Sequence, residues 1–394
     1  MKNNLLALLF AFTVINMFGQ VPATSTAVSD QAVPVNDKVI NKVISPLAKV
    51  PLYDNGVLIY DYDGSLFSFD LDSEQIVWTV KASDHYTEMC ANQVTLQDGV
   101  LYVPFINGEI FAIDNQSGDV FWKSRIGNIT DQIVLKNQAP VINNGKLYVA
   151  AQNGFVYALN IKDGSLAWNY KLDSTKNDIP VLVFANKVFT QSGFNFYSFD
   201  ANTGKALSQR NFEEAIYGKP VTDGENIFIA NEKDMVFALG PNQLDVKWKF
   251  KVDENQGNIK ERIFCKDNKL YIGTQGAIGS SVYAVDSKTG TQIWKTDFAG
   301  DNILYITEHN DNIWGYTRKG KLFQLDLENG SLLYEAKLTT LPISNLEFPD
   351  EDSVYYYCDA GLIQFDFKGK DENMAYMRTS IKDDVYSAFV KIIR

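Results

Sequence analysis

The sequence predicts an all-β protein, an eight-bladed β-propeller built from four-stranded antiparallel blades. The first observation behind this prediction is a four-residue signal that recurs eight times at intervals of 40 to 46 residues. The second is the Asn-Gly and Asp-Gly pairs, such as Asn144-Gly145 and Asp163-Gly164, which separate short apolar runs. These pairs favour hairpin turns, because both central residues of a type I′ turn need positive φ. The period matches one propeller blade, whose strands we name A to D in chain order.

The recurring signal consists of an aromatic or aliphatic residue, a small residue, an apolar residue and then Asp. Its fourth position is occupied in turn by Asp70, Asp114, Asn160, Asp200, Gly240, Asp286, Asp326 and Asp366. Four residues later the chain has Gly118, Gly164, Gly204, Gly290 and Gly330, and eight residues later it has Trp78, Trp122, Trp168, Trp248, Trp294 and Tyr334. The fourth and eighth copies have Ser208 and Met374 at the ring position. We expect the Asp to cap the turn between strands C and D, and the ring to fill the wedge between blades.

The domain organisation follows from the repeat and from the N-terminus. Residues 1–20 read as a signal peptide, with Lys2 before an apolar run, and residues 21–37 read as a flexible leader. Residues 38–394 form a single propeller. The chain is therefore expected to be exported, without a membrane span in its mature form and, since no Cys lies near the boundary, without a lipid anchor. The ring can be closed by residues 38–44 or by residues 385–393, and we expect the N-terminal segment to join blade eight.

Charge and site chemistry exclude several function classes. The net charge is −12 without a Lys/Arg cluster, which argues against nucleic acid as a direct ligand. His85 and His309 are isolated and are expected at the surface or in turns, without zinc spacing. Asp61 to Gly64 and Asp70 to Asp72 read as turns rather than calcium loops, and Gly273 to Gly279 as a strand-to-strand loop rather than a phosphate loop. A carboxylate pair shared by two blades stays open, but no residue pair is indicated.

The three cysteines are an odd number for an exported chain. Cys265 and Cys358 lie in or beside predicted strands and are expected to be small core residues. Cys90 lies in a predicted loop and is the one that could be reactive. No residue is therefore assigned a catalytic, cofactor-binding or metal-binding role.

The spacing Ala-x-Asp-x-x-x-Gly-x-x-x-Trp, from Ala112 to Trp122 and from Ala284 to Trp294, resembles the pyrroloquinoline-quinone-like propeller repeat family. Over about 330 residues the chain is most similar to the BamB-like branch of this family. That resemblance implies a non-catalytic scaffold that docks onto the outer-membrane barrel-assembly machinery, in the periplasm or at the outer membrane. Quinone-dependent dehydrogenases of the same superfamily imply an enzyme instead, but many have adjacent cysteines and a calcium site, and this chain has no Cys-Cys pair. We expect no enzyme, no cofactor and a monomer.

The partner surface is predicted from the loops where the copies differ in length. Three loops are expanded, at residues 82–91, 125–137 and 274–281. The D-to-A and B-to-C connections emerge on the same face of a propeller, so all three decorate one face, which is commonly the binding face. Tolerated variation in loop length is an equal alternative. Another alternative function is a secreted or surface propeller that binds a polysaccharide or an adhesion partner.

Overall fold

The computed structural model describes residues 56–60, 65–83, 92–131, 133–173, 179–253, 258–259, 263–276, 278–378 and 388–393. These residues form strands and turns, and none of them forms a helix that is long and apolar enough to cross a membrane. The signal peptide, the leader, residues 38–44, His85 and Cys90 lie outside the described residues.

Thirty-one strands are present in the described part of the chain. In chain order they are β1 Gly56–Tyr60, β2 Ser65–Asp70, β3 Gln75–Lys81, β4 Thr95–Gln97, β5 Val100–Pro104, β6 Glu109–Asp114, β7 Val120–Arg125, β8 Val141–Asn143, β9 Lys146–Ala150, β10 Phe155–Asn160, β11 Leu166–Lys171, β12 Leu182–Phe184, β13 Lys187–Ser192, β14 Asn195–Asp200, β15 Ala206–Asn211, β16 Ile216–Thr222, β17 Ile227–Asn231, β18 Met235–Leu239, β19 Val246–Lys251, β20 Ile263–Lys266, β21 Lys269–Gly273, β22 Gly279–Asp286, β23 Gln292–Ala299, β24 Ile303–His309, β25 Asn312–Thr317, β26 Lys321–Asp326, β27 Leu332–Lys337, β28 Ser353–Cys358, β29 Gly361–Asp366, β30 Asp371–Met377 and β31 Phe389–Ile393.

The strands form eight antiparallel sheets, which confirms the eight-bladed propeller. Blades two to seven are β4–β7, β8–β11, β12–β15, β16–β19, β20–β23 and β24–β27, each paired in chain order. Their A strands contact one another, β8 with β12, β12 with β16 and β16 with β20, so strand A is innermost and borders the central channel. Blade eight consists of β28–β30, and residue Glu347 forms a bridge to Tyr355 at its inner edge.

The signature Asp caps the turn between strands C and D, as predicted. Asp114 Oδ1 accepts hydrogen bonds from the amides of Gln116 and Ser117 at 2.9 and 2.8 Å. Asp200, Asp286 and Asp326 do the same for the two amides that follow in their own turns. Each Asp thereby replaces backbone partners that the tight turn cannot supply.

The strand D tryptophan packs against the next blade, as predicted. Trp122 is 2% exposed, and its Nε1 donates to the Ile161 carbonyl at 2.8 Å in blade three. Its ring covers Gly164, where φ is +71°, and a Cβ atom at Gly164 would lie 2.5 Å from Trp122 Cε3. Only glycine therefore fits beneath the ring in this left-handed conformation. Four further ring-glycine pairs follow this arrangement: Trp78 with Gly118, Trp168 with Gly204, Trp248 with Gly290 and Trp294 with Gly330.

The core of the described residues is divided between the blades. Eight clusters of buried apolar side chains are present, and each is contributed by two successive blades. The seventh and eighth of these clusters around the ring join blade seven to blade eight and blade eight to blade one. Cys358 is buried in the former cluster and half-buried Cys265 packs at the boundary of blades five and six, in agreement with the prediction that both are core residues.

The ring is closed by the C-terminus, which corrects our preference for the N-terminal segment. Strand β31 pairs antiparallel with β1 from Gly56↔Ile393 to Tyr60↔Phe389, and it is therefore the inner strand of blade one. The physical reason is that residues 343–347 already occupy the inner edge of blade eight. Among the described residues, blade one has β1, β2 and β3 from its own repeat and lacks an inner strand. Strand β31 occupies that position beside β1.

Two side chains reinforce this closure. The Asn345 side chain forms two hydrogen bonds with the backbone of Val390, each at 2.9 Å. Its Oδ1 accepts from the Val390 amide, and its Nδ2 donates to the Val390 carbonyl. Glu347 accepts a hydrogen bond from the Ile392 amide at 3.2 Å. Blade eight thus holds β31 by side chains that take the place of a backbone ladder.

The ring-glycine contact predicts a difference between two glycines that have the same backbone strain. Gly145 has φ +73°, close to that of Gly164, but a Cβ atom there would meet nothing within 4 Å. We expect Gly164→Ala to lower the free energy of unfolding by about 1–3 kcal/mol more than Gly145→Ala, because only the former overpacks the interior. Urea denaturation of both variants measures the difference. Trp122→Ala alone should cost about 3–5 kcal/mol, and equal costs of the two glycine variants would contradict the contact.

Because Asn345 holds the strand that closes the ring, we expect its truncation to lower the stability of the protein. Asn345→Ala leaves the Val390 amide and carbonyl without their side-chain partners, so we expect a loss of about 1–3 kcal/mol of unfolding free energy. Asn373→Ala, at an exposed position on strand β30, is the matched control and should change stability by less than about 0.5 kcal/mol. Calorimetry checks both variants. The closure would be wrong if Asn345→Ala were as stable as the control.

Candidate functional site

The three expanded loops emerge on the same face of the ring, which we call the loop face. Loops 82–91 and 125–137 follow strands D of blades one and two, and loop 274–281 begins between strands B and C of blade six. In an antiparallel four-stranded blade these two kinds of connection leave from the same end. Of loop 82–91 only residues 82 and 83 are described, and residues 132 and 277 are also outside the described part.

Asn92 and Gln138 stand directly after loops 82–91 and 125–137, and a hydrogen bond between them joins these two connections. Asn92 is 3% exposed, and its Oδ1 accepts the Gln138 amide at 2.7 Å. Its Nδ2 donates to the carbonyls of Pro104 at 3.2 Å and Leu135 at 3.1 Å. The Gln93 amide completes the junction by donating to the Gln138 carbonyl at 2.8 Å. The two connections therefore form one fixed unit rather than two separate loops.

The side chains of Glu109 and Arg125, both in blade two, hold the starts of loops 82–91 and 125–137. The Glu109 carboxylate is buried and accepts both the amide of Ser83, at 2.7 Å, and its hydroxyl. The Arg125 guanidinium, also buried, donates to the Ile129 carbonyl at 3.1 Å. Hydrogen bonds to charged groups are stronger than neutral ones, so both anchors restrict loop motion.

Loop 274–281 is held by a separate set of bonds. Gln275 exchanges two backbone hydrogen bonds with Asn258, at 2.6 and 3.0 Å, and its Nε2 donates to the Ile303 carbonyl at 2.8 Å. The Gly300 amide donates to the Ile278 carbonyl at 3.0 Å. The loop lies in blade six, four blades from blade two around the ring. The structure thus brings the first two loops together but places the third across the channel from them.

Large apolar side chains are exposed on the loop face. The two most exposed in the predicted loops are Ile129, at 82%, and Ile278, at 64%. Phe194, Leu341 and Met377 lie at the same ends of other blades and are 51%, 41% and 67% exposed. Among the described turns of the opposite face, which we call the turn face, no large apolar side chain is exposed. The remaining exposed apolar residues lie on outer strands D.

Buried titratable side chains lie on or beside the inner strands of four blades. Burial lowers the pKa of the Lys219 ammonium and raises the pKa of the Cys265 thiol and of the Glu347 carboxyl. Burial also raises the pKa of Tyr305 to about 12. These groups belong to blades five, six, eight and seven, and Glu347 is already bonded to β31. They form no arrangement of nucleophile and base.

The described residues do not supply the adjacent cysteine pair and the calcium site that the resemblance to quinone-dependent dehydrogenases implies. Cys265 lies in blade six and Cys358 in blade eight, so the described cysteines cannot supply an adjacent pair. The described residues also contain no group of three His, Cys, Asp or Glu side chains that could hold a metal ion. Asp70 to Asp72 form a turn, in which Asp70 Oδ1 accepts the Asp72 amide at 3.0 Å. Gly273 and Gly279 lie on two neighbouring strands, β21 and β22, as predicted.

Sequence reasoning missed the residues that hold the loops. Asn92 and Gln138 are 46 positions apart, and Glu109 stands in a strand among apolar neighbours. A Glu directly before four apolar residues of a strand was the one available signal. His309 also differs from the expectation of an ordinary surface or turn residue, because it is half-buried at the end of β24 and stacks on Phe348 with ring centroids 4.1 Å apart.

Comparisons with known proteins identify the family. The family model described as outer membrane protein assembly factor BamB matches residues 38–183, 193–347 and 278–370. A relative with that name from Francisella salina is 28% identical over 86 residues, which is 22% of this chain and 15% of the relative. The match thus spans less than a fifth of the relative's length.

Solved structures with the same fold include a BamB protein and an alcohol dehydrogenase. BamB from Moraxella catarrhalis has a TM-score of 0.61 and 16% identity, with coverage of 85% of this chain and 96% of that chain. Quinohemoprotein alcohol dehydrogenase from Comamonas testosteroni has a TM-score of 0.58 and 12% identity, with coverage of 76% and 70%. At these identities both likenesses concern the fold.

The hydrogen bonds of Asn92 predict that its truncation destabilises the segment around Gln138. Asn92→Ala removes three buried hydrogen bonds, and we expect a loss of about 2–3 kcal/mol of unfolding free energy together with faster exchange of the Gln138 amide. Asn128→Ala is the matched control in the same loop, since Asn128 is exposed and bonds only within its own turn to Asp131. Denaturation and hydrogen exchange measure both effects. Unchanged exchange at Gln138 would contradict the role of Asn92.

Proposed function

The chain belongs to the family of the outer membrane protein assembly factor BamB, and from this premise we propose that it is a non-catalytic scaffold of outer-membrane β-barrel assembly. In this proposal it acts in the periplasm or at the outer membrane and docks onto the barrel-assembly subunit through the loop face. The observation that carries the proposal is the exposure of Ile129 and Ile278 on loops that hydrogen bonds hold in place.

The apolar side chains of the loop face suit protein docking. Burial of one large apolar side chain contributes roughly 1.5–3 kcal/mol, and a few such residues dominate the affinity of an interface. A surface that is fixed before binding also loses less conformational entropy on association. The Asn92 junction and the Glu109 and Arg125 anchors supply this rigidity on one side of the ring. The bonds of Gln275 supply it on the other side.

The non-catalytic part of the proposal is supported by the chemistry of the described residues. The buried ionisable groups beside the inner strands come from separate blades, and the two described cysteines do not form the adjacent pair of many quinone-dependent enzymes. A net charge of −12 favours a protein partner over nucleic acid.

A single amino-acid substitution on the loop face tests the docking proposal. We expect Ile129→Asp to weaken binding to the purified barrel-assembly subunit at least about tenfold, because a charge replaces an exposed apolar contact at the interface. Ile293→Asp is the matched control, since Ile293 is 45% exposed on outer strand β23 of blade six. Surface plasmon resonance with each variant measures the affinities.

Two results would contradict the proposed function. One is equal binding by wild type, Ile129→Asp and Ile293→Asp. The other is affinity purification from the native envelope that yields a polysaccharide or an adhesion protein and no barrel-assembly subunit. The latter result would favour the alternative of a secreted or surface propeller.

A further inference from the structure

A cavity of about 230 Å³ lies on the turn face, between blades seven and eight. Three aromatic side chains line it: Trp314 from strand B of blade seven, and Phe348 and Phe367 from the turns of blade eight. Trp314 is outside the repeated ring position of the eight copies, so the blade pattern does not account for it. The cavity is open to solvent on the side away from the loop face.

Stacked rings form the walls of this cavity. The imidazole of His309 stacks on Phe348 with centroids 4.1 Å apart and an interplanar angle of 8°. Trp314 stacks on Phe367 at 4.7 Å and contacts Phe348 at 5.4 Å. The π faces of such rings attract cations, and a planar guanidinium can stack on them as well.

Two carboxylates lie at the rim of the cavity, and one of them, Asp350, also caps its own turn by accepting the Asp352 amide through Oδ1 at 2.9 Å. Asp350 and Glu351 line the cavity, and no described residue forms an ion pair with either of them. The lysines of the surrounding turns are engaged elsewhere: Lys266 pairs with Asp311 at 2.5 Å and Lys368 pairs with Asp352 at 2.9 Å. The rim is therefore negative and open to a positive group from outside.

The His309 imidazole contributes to the cavity wall as a neutral ring. The Nε2 atom of His309 is buried and has no hydrogen-bond partner among the described residues. Burial lowers the pKa of the His309 imidazole, which favours its neutral form. The ring that stacks on Phe348 therefore places no positive charge of its own beside the cavity.

We propose that this cavity receives the guanidinium of an arginine side chain from a partner protein on the turn face. The guanidinium stacks on the aromatic wall, and its N–H groups donate to the Glu351 and Asp350 carboxylates. Arginine fits better than lysine because it is planar and has five donors in a fixed arrangement. The site is distinct from the docking surface of the proposed function, since it lies on the opposite face and shares no residue with it.

Titration with small arginine compounds tests this site directly. N-acetyl-arginine amide, N-acetyl-lysine amide and N-acetyl-citrulline amide are added to the full chain and followed by saturation-transfer NMR. Citrulline keeps the shape of arginine and removes its charge. We expect saturable binding of the arginine compound, with the lysine and citrulline compounds binding at least about fivefold more weakly.

Two exposed glutamates provide the matched variants. Glu351→Gln should weaken binding of the arginine compound about two- to fivefold. Glu225→Gln makes the same change in the A-to-B turn of blade five, where Glu225 is exposed, and should leave binding unchanged. The Ile129→Asp protein should bind as wild type does, which separates this site from the loop face.

Three outcomes would overturn the inference. The first is the absence of saturable binding of N-acetyl-arginine amide to the wild-type protein. The second is equal binding of the arginine and citrulline compounds, which would show that the charge is not recognised. The third is an equal loss in Glu351→Gln and Glu225→Gln, which would show a general effect of protein charge.

Discussion

The contact between a strand D ring and the glycine of the next blade is the interaction on which the rest of the ring depends. Each of the five tryptophans of the repeat covers a turn glycine whose φ lies near +70°. Four of the five also donate a hydrogen bond to a carbonyl of that turn. One contact therefore fixes the turn between strands C and D and, at the same time, the spacing of two blades.

Three of the eight blade boundaries lack the Trp-glycine pair, and their turns show why glycine is needed only beneath an indole ring. Ser208 replaces the ring in blade four, and the facing turn then has Leu244, which is fully buried, instead of glycine. Tyr334 faces Lys370, whose Nζ lies 5.2 Å from the ring centroid, and Met374 faces Glu74 at the closure of the ring. Where no indole covers the turn, a side chain fits despite a positive φ. The boundary between blades seven and eight is one of these exceptions, and it also contains the aromatic cavity.

The two faces of the ring have different surface chemistry as a result. On the turn face the turns between strands C and D are short and polar, and most of them are capped by the signature Asp. On the loop face the connections vary in length, and buried groups such as Asn92 and Glu109 keep them in place while Ile129 stays exposed. A regular ring thus combines a repeated, polar side with an irregular side that is suited to recognition of a partner.

The sequence by itself determined the number of blades, the capped turns and the position of the rings between blades, because each depends on residues close together in one repeat or one period apart. It also indicated which loops are longer. Only the tertiary structure decided that β31 closes the ring, that Asn92 meets Gln138, and that His309, Trp314 and Phe348 surround one cavity. These contacts join residues that are far apart in the chain and outside the repeat, so no periodic pattern in the sequence specifies them.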